Sequence, residues 1–440
     1  MVNESKIMNS PLPFPWVLRY TNERFMFIRF RETGMKEKKQ KKKWMRFRHK
    51  VITELARFVL GPYIYFAYGV QIKKFKEQGN RNYLVLLNHQ TPFDQFFLGL
   101  AFKGPVYYVA TEDIFSLGWI SNLLRWAIAP IPIRKQTTDI NAVMNCIRVA
   151  REGGTIAMAP EGNRTYSGKT LHMNSAVAGL VKKMKLPVAL FRIEGGYGAE
   201  PRWADKIRRG PMKAYVSRVI EPEEYAAMSN EELVKAIADG LYVSEAEAGG
   251  PYKSGRKAEY LERAVYYCPN CGFSKWESHG NTITCRTCGK AVTYGEDKTL
   301  TGVEEPFPYR FVNEWYEAQE GYVNCLDLTQ LNREPLFRDE ARLSEVIVYK
   351  RKELLRENAQ IALYGDRVVF DEGRGNELTV PFADADAVTV LGRNKLNIYY
   401  NKRIYQLKGS KRFNALKYVN FCYRCKNILR GEPDDQFLGI

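Results

Sequence analysis

Two short cysteine knuckles constrain this chain more than any other feature in it. Cys268-Pro269-Asn270-Cys271-Gly272 and Cys285-Arg286-Thr287-Cys288-Gly289 share the pattern C-x-x-C-G and stand 13 residues apart. Each knuckle places two thiols on one tight turn, and the glycine that follows permits the turn. Four thiolates gathered this way suit tetrahedral zinc and leave no open coordination position, so the metal is expected to be structural. Six of the eight cysteines fall in C-x-x-C pairs. That usage fits metal binding in a reducing compartment better than a secreted disulfide framework. The third pair, Cys422 and Cys425, lies three apart on an expected helix and reads as core, as do Cys146 and Cys325. His279, between the knuckles, is not needed as a ligand.

The chain has 440 residues, which at about 150 per domain gives a prior of about three domains. With 45% hydrophobic and 26% charged residues, global disorder, a fibre and a polytopic membrane protein are excluded. From about residue 82 to 220 the pattern alternates. Tyr83–Leu87, Val106–Ala110, Thr155–Ala159, Val188–Ile193 and Lys213–Val219 read as strands, and helices are expected over Thr91–Leu100, Ser116–Ile128, Asp139–Arg151 and Ser175–Met184. Strands alternating with helices argue an α/β domain. Ser229 and Glu232 form a capping box that opens a last helix, to about 245.

The net charge is +18, and residues 1–80 hold 18 Lys or Arg against 6 Asp or Glu. Most of the surplus is therefore N-terminal, where a lysine run (Lys36 to Lys43) lies among Phe14, Trp16, Trp44 and Phe47. Arg46 to Tyr68 follows as a helix with a basic start and a Tyr-rich apolar remainder. Basic residues beside aromatic ones suit an interfacial segment on an anionic membrane surface. The longest apolar stretch, Phe58–Val70, has 13 residues. A bilayer needs about 20, so no transmembrane helix is expected. Nor is a signal peptide, since the start lacks a basic region followed by an apolar one. His49 reads as part of the basic face.

Chemistry-bearing residues gather at the expected strand ends, where α/β folds place their sites. Asn88-His89-Gln90-Thr91-Pro92-Phe93-Asp94 follows the first strand. Thr91 is a candidate N-cap and Pro92 a candidate first helical residue. Asp94 can then fold back onto the His89 ring, fix its tautomer and leave the other nitrogen as a general base. Glu161-Gly162-Asn163-Arg164 follows the strand at 155–159, with Gly162 allowing close backbone approach and Arg164 offering a planar fork for phosphate. Pro130-Ile131-Pro132-Ile133-Arg134 supplies a second arginine, and Pro187 opens an apolar strand.

In this order and spacing, the four blocks resemble the glycerolipid acyltransferase family, which includes 1-acylglycerol-3-phosphate acyltransferases. The resemblance covers about 80–220. It implies direct acyl transfer: His89 as base, Asp94 holding it, and Arg134, Glu161, Gly162 and Arg164 binding a phosphorylated acceptor. The chain departs from the family pattern in lacking Gly and Phe before Arg134. It also has Met173-Asn174-Ser175-Ala176 where a basic residue is usual; Lys169 is a candidate replacement, and His172 reads as structural. The cysteine module resembles a zinc ribbon, with Cys268, Cys271, Cys285 and Cys288 as ligands. The last 95 residues or so resemble a pleckstrin-homology-like barrel. Seven strands are expected there, at 345–355, 358–364, 367–370, 377–382, 386–391, 395–400 and 403–408, closed by a helix capped by Ser410.

The expected organisation is a basic, amphipathic membrane-associating segment (1–75), an α/β acyltransferase domain with a mixed sheet flanked by helices (76–245), a linker (246–262), a zinc ribbon (263–296), a connecting helical region (297–344) and a β-barrel capped by a helix (345–430). The expected reaction moves an acyl group from acyl-CoA or acyl-carrier protein to a lysophospholipid, first of all 1-acylglycerol-3-phosphate, giving phosphatidic acid. The expected location is cytoplasmic, peripheral or monotopic on the inner face of the cell membrane. Alternatives are another lipid or alcohol acceptor, an inactive lipid-binding scaffold and a nucleic-acid-binding protein. Nucleic acid is disfavoured because residues 263–296 carry nearly balanced charge.

Overall fold

The computed structural model of the protein describes residues 43–111, 114–115, 118–133, 139–171, 173, 175–247, 249–347 and 352–439. Phe14, Trp16, most of the lysine run, Arg134, His172 and Asn174 lie outside the described residues. From Trp44 onward the chain is one compact unit.

The first part runs α1 (Phe47–Tyr68), β1 (Val70–Ile72), β2 (Leu84–Leu87), α2 (Asp94–Ala101), β3 (Val106–Thr111), α3 (Trp119–Ala127), β4 (Ile131–Ile133), α4 (Ile140–Arg151), β5 (Thr155–Met158), α5 (Ala176–Met184), β6 (Val188–Glu194), α6 (Gly196–Ala199), β7 (Met212–Ile220), α7 (Pro222–Ala226) and α8 (Asn230–Leu241). The strands form one sheet in the order β1-β7-β6-β2-β5-β3-β4. It is parallel throughout except that β6 and β7 run antiparallel. It is a mixed sheet flanked by helices, and β2 sits at its centre, with Leu84 opposite Ile156 on one side and Val188 on the other.

All four residues of β2 are buried. Alternate side chains of a strand point to opposite faces. Val85 and Leu87 accordingly pack with Ile64, Tyr68, Phe97 and Phe191 under α1 and α2. Leu84 and Leu86 pack with Val149, Val181, Leu233 and Ile237 under α4, α5 and α8. A strand covered on both faces reads as a continuous apolar run, which is the YLVLL of the sequence.

Two expected helix starts differ. The helix at residue 91 begins at Asp94, with Phe93 rather than Thr91 as its N-cap. The helix at residue 116 begins at Trp119. In the first case Thr91 and Pro92 are needed for a turn, described below. The capping box at Ser229 forms as read, the hydroxyl accepting the Glu232 N–H.

The cysteine module contains β8 (Tyr267–Cys268), β9 (Gly272–Phe273), β10 (Trp276–His279), β11 (Thr282–Cys285), β12 (Ala291–Tyr294) and β13 (Leu300–Gly302). The last four make an antiparallel sheet. After α9 (Val312–Asn324) come β14 (Phe337–Glu345), β15 (Glu353–Leu363), β16 (Arg367–Phe370), β17 (Leu378–Pro381), β18 (Ala387–Leu391), β19 (Lys395–Tyr400), β20 (Arg403–Gly409) and α10 (Leu416–Leu429). β14 to β20 form a curled antiparallel sheet in the order β17-β16-β15-β14-β20-β19-β18, and α10 packs on it near β18. The first strand of the expected seven is displaced: it begins at Phe337, not 345, and the expected second strand starts earlier, at Glu353. The final helix starts at Leu416 rather than just after Ser410.

Residues 246–262 are not a loose tether. Tyr252, Ala258, Leu261 and Glu262 are buried, and one apolar cluster joins Tyr166 and Trp203 to Trp276, Ile283, Val292, Trp315, Phe337 and Phe421. The three parts of the chain share this core.

Candidate active site

His89 lies just past the C-terminal end of β2. Its loop is locked to the neighbouring strand by Asn88, whose side chain donates to the Ile193 carbonyl and accepts the Ile193 N–H, both at 2.8 Å. The chain then turns tightly around the buried carboxylate of Asp94. One oxygen accepts the Gln90 N–H at 2.8 Å and lies 2.7 Å from His89 Nδ1. The other accepts the Thr91 N–H at 2.9 Å and the Thr91 hydroxyl at 2.8 Å. Asp94 thus organises the turn that presents His89 and braces its ring. Nδ1 is held, and Nε2 is left as the nitrogen that can exchange a proton with a ligand. Burial lowers the His89 pKa from its ordinary value; Asp94 pulls it up, and the charges of Arg164 and Arg202 push it down.

Glu161 follows β5, the strand beside β2. Its carboxylate accepts the His89 N–H at 3.0 Å and the Leu171 N–H at 2.9 Å. Both oxygens therefore hold main chain. Burial raises the Glu161 pKa, while these two N–H donors pull it down by favouring the ionised carboxylate that can accept both. Gly162 has φ of +67°, and a Cβ added there would meet nothing within 4 Å. Its requirement is conformational, since left-handed backbone costs other residues about 1–2 kcal/mol. Arg164 is buried; burial lowers its pKa to about 10, and Arg202 pushes the same way.

The third wall comes from the segment after β6. Gly196 lies so close to the histidine loop that an added Cβ would sit 2.6 Å from Gln90 Cβ. α6 then leads into Glu200, Pro201 and Arg202. Glu200 is buried and accepts the Tyr68 hydroxyl. Arg202 is buried over the Tyr166 ring, 4.4 Å from its centroid, and donates to the Arg164 carbonyl at 2.7 Å. Tyr68, Glu200 and Arg202 were not among the sequence candidates; no local motif marks them.

Among the other expected residues, Lys169 pairs with Glu317 of α9, away from this site. Arg134 directly follows β4 but lies outside the described residues. His49 is not on a solvated basic face: it is buried, 3.1 Å from the Tyr107 hydroxyl. Cys325 is exposed at the end of α9, not buried as expected, whereas Cys146, Cys422 and Cys425 are buried.

The sulfurs of Cys268, Cys271, Cys285 and Cys288 all lie within 4.8 Å of one another. Cys268 and Cys288 are 3.7 Å apart, close to the edge of a tetrahedron with Zn–S bonds of about 2.3 Å. The donor set and its spacing fit zinc, and the Ser274 hydroxyl lies 3.0 Å from Cys285 Sγ. His279 is exposed beside Glu277. A separate cleft of about 840 Å3 lies between the ribbon and the curled sheet; three of the cations lining it are paired within it, Arg342 with Glu357, Arg412 with Glu262 and Lys417 with Asp339.

Residues 69–193 match the family model described as Acyltransferase. This part of the chain is similar to the acyltransferase family. A 1-acyl-sn-glycerol-3-phosphate acyltransferase of Bacillus subtilis (strain 168) is 19% identical over 136 residues, 31% of this chain and 65% of that protein. The chain thus spans about 65% of the length of that curated relative. The 1-acyl-sn-glycerophosphate acyltransferase PlsC of Thermotoga maritima has a crystal structure matching with a TM-score of 0.38 and 23% identity, over 44% of this chain and 78% of that one.

Proposed function

We propose that the chain is an O-acyltransferase that moves a fatty acyl group from acyl-CoA or acyl-carrier protein to the free hydroxyl of a lysophospholipid, 1-acylglycerol-3-phosphate. The observation that carries this reading is the 2.7 Å contact between His89 Nδ1 and Asp94 at the end of β2, beside the buried Arg164. Nε2 takes the hydroxyl proton as the acceptor oxygen attacks the thioester carbonyl carbon. The C–S bond then breaks, and the thiolate recovers the proton from the imidazolium. No covalent acyl-enzyme is needed. Arg164 and Arg134 bind the acceptor phosphate, and Glu161 positions the loop that carries His89.

The membrane assignment rests on the exposed faces of α1 and α3. Phe47, Phe58, Phe66, Trp119 and Trp126 are all more than half exposed; Lys50 on α1 is exposed, and the Arg48 guanidinium lies 5.3 Å from the centroid of the Trp126 ring. No helix among the described residues is long and apolar enough to cross a membrane. Apolar and basic groups together suit a cytoplasmic membrane surface rich in anionic lipid, where an anionic amphiphile is the available acceptor. The four cysteines hold structural zinc.

The test is acyl transfer from labelled acyl-CoA to a panel of lysolipids, comparing wild type with His89→Ala. Loss of about 10²–10⁴ in turnover with the fold retained is expected. Equal rates would overturn the general-base role.

A further inference from the structure

The residues around Arg164 hold more positive charge than their protein partners balance. Arg164 and Arg202 are 8% and 3% exposed. Arg164 Nη1 and Arg202 Nε are buried with no hydrogen-bond partner. The third guanidinium comes from far along the chain. Arg393, at the tip of the hairpin between β18 and β19, pairs with Glu200, whose other oxygen is taken by Tyr68. The same hairpin reaches Arg202, whose Nη2 lies 3.4 Å from the Val390 carbonyl. Asp205 is 3.8 Å from Arg393 but is held at 2.6 Å by Arg263. Asp94 is occupied by His89 and its own turn. Three guanidinium groups therefore face one buried carboxylate, Glu200, and two of them present unused donors.

Burying unpaired cations is unfavourable unless an anion joins them. A phosphate offers pairs of oxygens that planar guanidinium forks bind bidentately. We propose that Arg202 and Arg393 complete, with Arg164, a pocket for a phosphate monoester, so that the curled C-terminal sheet contributes directly to recognising the acceptor's headgroup. This rests on the lysophospholipid reading above and adds to it that the acyltransferase domain alone carries an incomplete acceptor site. The charges of Arg202 and Arg393 both lower the pKa of Arg164, as expected of cations awaiting a shared anion.

The full chain is titrated calorimetrically with sn-glycerol 3-phosphate and, separately, with coenzyme A, which bears a phosphate monoester of its own. Wild type, Arg393→Gln, Arg393→Lys and Glu200→Gln are compared, with thermal melts as folding controls. Arg393→Gln should weaken glycerol 3-phosphate roughly tenfold or more and leave coenzyme A unchanged. Arg393→Lys keeps the charge but loses the fork, and should fall between; it serves alone if Arg393→Gln does not fold. Glu200→Gln removes the competing carboxylate and should bind at least as tightly as wild type. If Arg393 only fastens two modules together, both Gln variants lose stability and neither changes phosphate affinity, which overturns the proposal. So does a wild type that binds no glycerol 3-phosphate, or an Arg393 variant that weakens coenzyme A instead. A chain that binds glycerol 3-phosphate through Arg393 yet acylates no lysolipid sinks the proposed function and leaves the pocket; active transfer with no role for Arg393 does the reverse.

Discussion

Glu161 and His89 are joined through the main chain: a carboxylate oxygen of Glu161 accepts the His89 N–H at 3.0 Å, while its other oxygen accepts from Leu171 at 2.9 Å. The acid of one sequence block thereby fixes the position of the histidine in another. Glu161→Gln keeps the shape but has one acceptor where two are needed, and it turns an amide N–H toward a backbone donor. A buried unsatisfied group costs about 1–3 kcal/mol. The variant should lose about that much in urea denaturation and also turn over more slowly, because the His89 loop relaxes. Unchanged stability would mean that Glu161 does not hold these loops.

Acid should switch the proposed acyl transfer off at lower pH than an ordinary histidine base would. Burial lowers the His89 pKa, and Arg164 and Arg202 reinforce this, against Asp94. The ring is therefore neutral at pH 7 and ready to accept a proton. The acid limb of kcat/KM should lie below pH 6.5, the ordinary value. The same lowering makes the unfolded chain the better proton acceptor between the folded pKa and 6.5. The stability that His89 contributes is thus present above 6.5 and lost as pH falls through that window. An acid limb at or above 6.5 would rule out His89 in this environment as the titrating base.

Zinc removal should reach beyond the ribbon. Cys268 and Cys285 lie in the same apolar cluster as Trp203, Trp276, Trp315 and Phe421, so loosening the knuckles exposes core shared with the curled sheet. One zinc per chain should be released by a thiol-blocking reagent and detected colorimetrically. Cys288→Ser should remove at least about 2.7 kcal/mol, the contribution of a ligand present at 100 times its dissociation constant. A metal-free chain with unchanged melting would refute the structural role.

What the sequence made legible was local. His89 and Asp94 are five residues apart, and one short turn brings them together. The run Leu84–Leu87 announces a strand buried on both faces. Glu200, Arg202 and Arg393 left no such trace: Glu200 and Arg393 meet across 193 residues, and only tertiary packing makes a buried charged cluster of them. The misplaced first strand of the curled sheet has a similar cause. Phe337–Glu345 is polar at most positions, and its pairing with β15 slips between Ala341 and Leu343 and again between Leu343 and Ser344. Such irregularities break the two-residue period by which a strand is recognised. Cys325 was misread because burial at a helix end depends on which face meets a neighbour: Val323 is buried in the shared core, while Cys325, two residues on, is exposed.

Membrane attachment can be separated from chemistry. Phe58 is 82% exposed on α1 and Trp119 is 74% exposed on α3; both lie far from the His89 turn in sequence, and neither packs in the core. Fully burying a large apolar side chain gains about 1.5–3 kcal/mol. Losing two such anchors should weaken vesicle binding by well over tenfold. The double variant Phe58→Ser, Trp119→Ser should therefore leave wild-type melting intact. It should fail to sediment with vesicles rich in anionic lipid, and it should keep its turnover on a soluble short-chain acceptor while losing it on acceptor embedded in those vesicles. If the variant sediments like wild type, the faces of α1 and α3 are not what meets the lipid.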